Sequence, residues 1–293
     1  MQPHCLLGRS PMIQVIISPA KQMRVDSDAF APRGIPPFPQ KTARIVRALR
    51  TIEDERGSAG LKELWRVNDK LLVENIERLA EFRCVMDGGE LRDAAVARLV
   101  CPAITSYVGI QYRSMAPDVL DAKALEWLQA HLWVLSALYG CVRPFDAVQP
   151  YRLEMAAKLS IDGAKDLYGY WGADIAASVC GATAPEGTCD PDMAGADVTV
   201  VNLASVEYAK AVLPHLPEGA SHVTIVFGED VRAGKPVQRA TASKIARGSM
   251  VRWMAENSVE DASALQRFDV GYTFAPELSR EAELSRTLVF MKR

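Results

Sequence analysis

The chain has 293 residues, 49% of them hydrophobic and 24% charged, so disordered, collagen-like and coiled-coil classes are excluded. The 34 lysines and arginines against 36 aspartates and glutamates leave a formal charge of −2, which excludes a generally basic nucleic-acid coat but not a local basic cleft. The cysteines (Cys5, Cys84, Cys101, Cys141, Cys180 and Cys189) form no C-x-x-C pair, and the four histidines are too few for a His/Cys metal framework. Scattered thiols, no apolar leader in residues 1–11 and no run of roughly 18 apolar residues together predict a soluble, cytoplasmic protein without a membrane segment.

Residues 1–11 read as an N-terminal extension, with one domain over 12–293 and a candidate helical lobe at 40–101. Met12–Ser18 is a short β-branched run of a buried strand. A loop with Pro32, Pro36, Pro37 and Pro39 follows and cannot be helical. Helices are expected over 40–55 and 61–83, with Asn68–Asp69 as a break. A strand is expected at 103–107, a helix at 117–130 with Val119, Leu120, Leu125 and Leu128 inward, and a second buried strand at 132–138. Further helices are expected at 171–180, 205–213 and 242–257, and further strands at 198–203, 223–227, 268–274 and 287–291. The stretch 181–195 reads as a surface insertion. The predicted class is a mixed α/β (α+β) body in one piece, a mixed sheet surrounded by helices.

Polar residues crowd the ends of several of these strands, where open α/β sheets present ligand crevices. Ser18-Pro-Ala-Lys21 ends the first strand, and Lys21 there is a phosphate partner, a tuned base, or a solvated loop lysine. Tyr107-Val-Gly-Ile-Gln-Tyr112-Arg113 offers a stacking face and a planar fork of donors. The densest patch, Leu135 to Met155, fixes Tyr139, Arg143, Asp146, Tyr151, Arg152 and Glu154 on a backbone stiffened by glycine and proline. An ion-pair network holding a long loop accounts for the same residues. Alternation over 151–155 puts Tyr151, Leu153 and Met155 on one face, and Arg152 and Glu154 on the other. Asn202-Leu-Ala-Ser205-Val-Glu207-Tyr208-Ala-Lys210 runs from strand into helix, with Ser205 as cap. Arg239, Lys244, Arg247 and Arg252 form a run without a carboxylate, and Glu229 is a partner or an acid/base. The recurring set is Lys/Arg, Tyr and a few Glu, without a nucleophile–His pair, a metal cluster, a cofactor motif or a Walker loop. Cations with aromatics suit a phosphate and a stacked base, so the predicted partner is DNA, a nucleotide or a nucleobase. Nothing in the sequence fixes the number of subunits.

These segments resemble the YaaA family of bacterial peroxide-stress-resistance proteins. The resemblance rests on Ile17-Ser-Pro-Ala-Lys21, Tyr107-x-Gly-x-x-Tyr112-Arg113, the run from Leu135 to Met155, Asn202-Leu-Ala-Ser205-x-Glu207-Tyr208, Lys244-x-Ala-Arg247-Gly248-x-Met250 and Phe268-Asp-x-Gly271-Tyr272. It implies survival under hydrogen peroxide, lowered free iron and limited Fenton damage to DNA. It also implies a single mixed α/β domain with a positively charged cleft and a helix-hairpin-helix-like element. The nearest match to that element's glycines is Gly57-Ser-Ala-Gly60.

Two expectations follow. As a binding protein, the chain holds DNA through Lys21, Arg113, Arg143, Arg152, Lys244 and Arg247. As an enzyme, it cleaves an N-glycosidic bond with Tyr139 or Tyr151 stacking on the base and Glu154, Glu207 or Glu229 as acid/base, alongside Lys21. Tyr112, Asn202, Ser205 and Tyr208 complete the predicted ligand contacts. Both expectations require these residues to converge on one hollow.

Overall fold

The computed structural model describes residues 12–26, 28–181 and 198–293. The predicted extension 1–11, most of the predicted insertion, and Cys5 and Cys189 lie outside the described residues.

An eight-stranded sheet forms the centre. Its strands are β1 (Met12–Ile17), β2 (Leu132–Ser136), β3 (Gly140–Val142), β4 (Val198–Asn202), β5 (Ser221–Gly228), β6 (Tyr272–Phe274), β7 (Arg280–Glu281) and β8 (Ser285–Lys292). The order is β6-β8-β5-β4-β1-β2-β3, with β7 paired to the edge of β8. The five inner strands from β8 to β2 are parallel, while β3, β6 and β7 run antiparallel to their neighbours. Parallel strands are covered on both faces, which is why β1, β2 and β4 read as near-continuous apolar runs. Ile13, Val15, Ile16, Ile17, Leu132, Val200 and Val201 are buried in one continuous core.

Topology decides where a ligand can sit. From β1 the chain next enters the sheet at β2, on one side, and later at β4, on the other side of β1. The carboxyl ends of β1 and β4 therefore flank a topological switch point, where connections leave in opposite directions and open a crevice.

The main helices are α1 (Pro39–Trp65), α2 (Asp69–Glu81), α3 (Ala122–His131) and α4 (Ala240–Glu256). Helix α1 is broken at Gly57, whose φ of 62° and ψ of −167° are open only to glycine. Asn68 caps α2, its side chain accepting from the Leu71 amide, so the expected break at Asn68–Asp69 is where the second helix starts. Ile45, Leu49, Leu61, Trp65, Leu72 and Leu79 join the same core as the sheet.

Several expected elements differ. The strand expected at 103–107 is a helical turn, Ala103–Ser106, set between the short strands Cys101–Pro102 and Tyr107–Val108. The amides of Ala103 and Ile104 donate to the carbonyls of Asp146 and Pro144, so tertiary contacts override the β-branched local signal. The helix expected at 117–130 begins only at Ala122, capped by Asp121, and Val119 is exposed rather than inward. The helix expected at 205–213 is one turn, Val206–Ala209, and Gly172 divides the one expected at 171–180. Phe268 ends a 3-10 turn rather than starting a strand.

Candidate active site at the sheet switch point

A cavity of about 510 Å³ opens at the carboxyl ends of β1 and β4. Its floor begins with Ser18, the residue after β1, whose hydroxyl accepts from the Ser205 amide at 2.8 Å and meets the Ser205 hydroxyl at 3.1 Å. These bonds join the ends of the two strands across the switch point. The Tyr112 phenol donates to the Ser18 carbonyl at 3.0 Å, and a two-residue ladder pairs Gln22 with Val108 and Met23 with Tyr107. The loop carrying Lys21 is thereby clamped beside the segment carrying Gly109 to Tyr112.

The opposite wall is Tyr151 to Glu154. Tyr151 places its hydroxyl 2.7 Å from Ser136, the last residue of β2, and 3.4 Å from the Tyr107 hydroxyl. Leu153 and Met155 are buried while Arg152 and Glu154 reach polar groups, the expected alternation in an extended segment. Arg152 donates to Glu154 at 2.7 Å, and Lys21 pairs with the same carboxylate oxygen at 2.8 Å. Lys21 is mostly exposed, so this pair contributes little to stability. Its consequence is positional, since one carboxylate holds two cations at the mouth.

The third wall comes from Ser205, Glu207 and Tyr208, with Lys244 from α4. Glu207 accepts the Ala156 amide at 3.0 Å and so ties this wall to the end of the Tyr151–Met155 segment. Lys244 is positioned by Gly248, one turn later. A Cβ at Gly248 lies 2.0 Å from the Gln111 carbonyl oxygen, so only glycine lets α4 approach the Ile110–Met115 helix this closely.

Burial pushes the Tyr107, Tyr112 and Tyr208 phenols well above their ordinary range, and Tyr151 upward as well. They stay protonated at neutral pH and act as donors and ring surfaces, not as phenolate bases. The lining side chains carry three cations (Lys21, Arg152, Lys244) and two carboxylates (Glu154, Glu207), a formal charge of +1. Among the described residues no group of three His, Cys, Asp or Glu side chains can hold a metal ion.

Nine of the predicted site residues thus meet here: Lys21, Tyr112, Tyr151, Arg152, Glu154, Ser205, Glu207, Tyr208 and Lys244. Six lie elsewhere. Tyr139 is buried behind Tyr151, ring edge to ring face at 5.6 Å, with its hydroxyl accepting the Gln149 amide at 2.9 Å. Arg143 sits at the opposite, amino edge of the sheet. It donates to Gln14 at 3.2 Å and to the Ala130 carbonyl at 2.8 Å, and it stacks 3.6 Å above the Trp133 ring. Arg113 is exposed on the outer face of its short helix. Glu229 is held by Lys292 at 2.6 Å and faces Arg239 at 3.7 Å, and it does not line the cavity. Asn202 and Arg247 line a separate hollow. The six cations of the expected DNA-binding surface are therefore reduced to three at this cavity. Ser18 and Gln111 also line the cavity and were missed, although each stands within a few residues of a predicted one and Ser18 follows a buried strand.

A mixed sheet surrounded by helices, with a cation- and tyrosine-lined crevice at its switch point, defines a mixed α/β protein. The family model described as "Peroxide stress protein YaaA" matches residues 13–278. A UPF0246 protein of Pediococcus pentosaceus is 40% identical over 268 residues, 91% of this chain and 94% of that protein. A UPF0246 protein of Desulfitobacterium hafniense is 36% identical over 96% of this chain and 98% of its own length, and one of Limosilactobacillus fermentum is 39% identical over 92% and 98%. The chain belongs to the YaaA family of peroxide stress proteins.

Proposed function

We propose that the switch-point cavity binds a nucleotide unit, free or within a DNA strand. The observation that carries this reading is the convergence of Lys21, Arg152 and Lys244 with Tyr112, Tyr151 and Tyr208 around one hollow of about 510 Å³, a volume within the usual range for a small organic ligand. Phosphate lies against the cations at the mouth, and the base against the tyrosine wall. The ligand must displace Glu154 from Lys21 and Arg152, so phosphate binding competes with an internal carboxylate. In the peroxide-stress setting of the family, the role that follows is cytoplasmic protection of DNA from iron-driven oxidation.

Glu154 favours a second reading, cleavage of an N-glycosidic bond. A water attacks C1′ of the sugar and gives its proton to the Glu154 carboxylate. The C1′–N bond breaks, its electron pair stays on the base, and a proton from solvent neutralises the leaving nitrogen. Lys21 and Arg152 keep this carboxylate pointed into the hollow. Glu154→Gln separates the readings. A binding site retains or gains affinity for a single-stranded oligonucleotide, whereas a glycosidase also loses base release. Absence of saturable nucleotide or oligonucleotide binding by the unaltered protein removes both.

A further inference from the structure

A second hollow of about 440 Å³ lies at the carboxyl end of β4, against the middle of β5. The Ala204–Lys210 segment lends alternate residues to each cavity, Ser205, Glu207 and Tyr208 to the first and Ala204, Val206, Ala209 and Lys210 to the second. Arg247 points into this second hollow from α4, away from Lys244, although the two stand three residues apart in sequence.

Arg247 is the unusual group. It is half-buried, its Nε is enclosed without a hydrogen-bond partner among the described residues, and burial lowers its pKa. No aspartate or glutamate lines the cavity. Partial burial of a cation without an anion is costly, and a ligand that brings the opposite charge offsets that cost. The surrounding polar atoms suit the same partner. Thr224 accepts from the Asn202 amide at 3.3 Å, which leaves its own hydroxyl hydrogen for an acceptor, and Gln238 and Lys210 stand at the wall. Leu213, Pro214 and Ile225 supply an apolar face.

We propose that this hollow is a binding site for a small organic anion, a phosphate monoester or carboxylate on an apolar body, with the terminal nitrogens of the Arg247 guanidinium gripping the anionic head. The site is separate from the nucleotide cavity and does not rest on that reading.

Calorimetric titration of the full chain with phenyl phosphate and with benzoate tests it, with benzyl alcohol as the neutral comparator. The expected result is saturable binding of at least one anion, no binding of the alcohol, and at least tenfold weaker anion binding by Arg247→Met. Arg113→Met, exposed and outside both cavities, should bind the anion as the unaltered protein does. Arg247→Met should also unfold at higher denaturant concentration without ligand, because it removes an uncompensated, partly buried charge. Thr224→Val, nearly identical in shape, provides a second reading and should weaken binding at least threefold. Failure of the unaltered protein to bind either anion overturns the proposal. So does undiminished binding by Arg247→Met and Thr224→Val, or loss of binding in Lys21→Met, a variant of the first cavity, with retention in Arg247→Met.

Discussion

The Tyr139–Glu154 run divides into two halves of similar composition and opposite use. Its first half, Tyr139 to Gln149, leaves the carboxyl edge of the sheet, crosses to the amino edge and turns there. Its polar groups are consumed internally: Asp146 accepts the Arg143 amide at 2.7 Å, Arg143 bonds Gln14 and Ala130, and Tyr139 bonds Gln149. The second half, Tyr151 to Glu154, returns to the carboxyl edge beside Ser18 and Ser136, and its polar groups face a cavity. Residue type does not separate an architectural arginine from a ligand-facing one; the edge of the sheet it reaches does.

The largest effect expected of this division is on stability. Tyr139→Ala removes a fully packed ring and its hydroxyl bond and should cost about 3–5 kcal/mol in denaturant unfolding. A cost under about 1 kcal/mol would place Tyr139 in the ligand half instead.

Asp146 sharpens the comparison through pH. Burial pushes its carboxyl up from 3.8 to about 7. The folded protein then keeps a proton that the unfolded chain releases, so this contribution is complete below about pH 4 and is lost as pH rises through 7. Asp146→Asn should therefore gain stability relative to the parent between pH 4 and pH 8, on the order of 2–4 kcal/mol. A parallel pair of stability–pH curves would show that the Asp146 carboxyl is solvated.

Gly57→Ala tests the break in α1, a region remote from both halves. The dihedral angles at this residue penalise any Cβ by roughly 1–3 kcal/mol, although no atom stands in its way. An unchanged midpoint in urea would mean the helix can close across the break.

Stability should change least in the ligand half. Lys21→Ala and Lys244→Ala should shift it by no more than about 0.5 kcal/mol, as expected of exposed side chains, while each weakens oligonucleotide binding.

Much of the fold was legible because its parallel strands are buried on both faces and carry Val- and Ile-rich runs, broken only by Gln14 in Ile13–Ile17 and by Thr199 in Val198–Val201. Asn68 announced the start of α2 through its cap. The Ala103–Ser106 turn was not legible, because its amides are held by carbonyls some forty residues later. Nor was the separation of Lys244 from Arg247, which depends on a single turn of chain, Val206–Ala209, coming between their two cavities. The cavity itself was half visible: strand-end polar motifs located Lys21, Tyr112 and Glu154, but the crossing that carries Arg143 to the far edge depends on an antiparallel strand of three residues.

The salt dependence of binding to a single-stranded oligonucleotide tests the division most directly. Three phosphate-facing cations predict that log K falls against log[salt] with a slope of about −2, with loss of about 0.7 for each of Lys21→Ala, Arg152→Ala and Lys244→Ala. Arg113→Ala, outside the cavity, should leave the slope unchanged. A slope near zero, or one that drops with Arg113→Ala but not with the three cavity variants, would contradict the account.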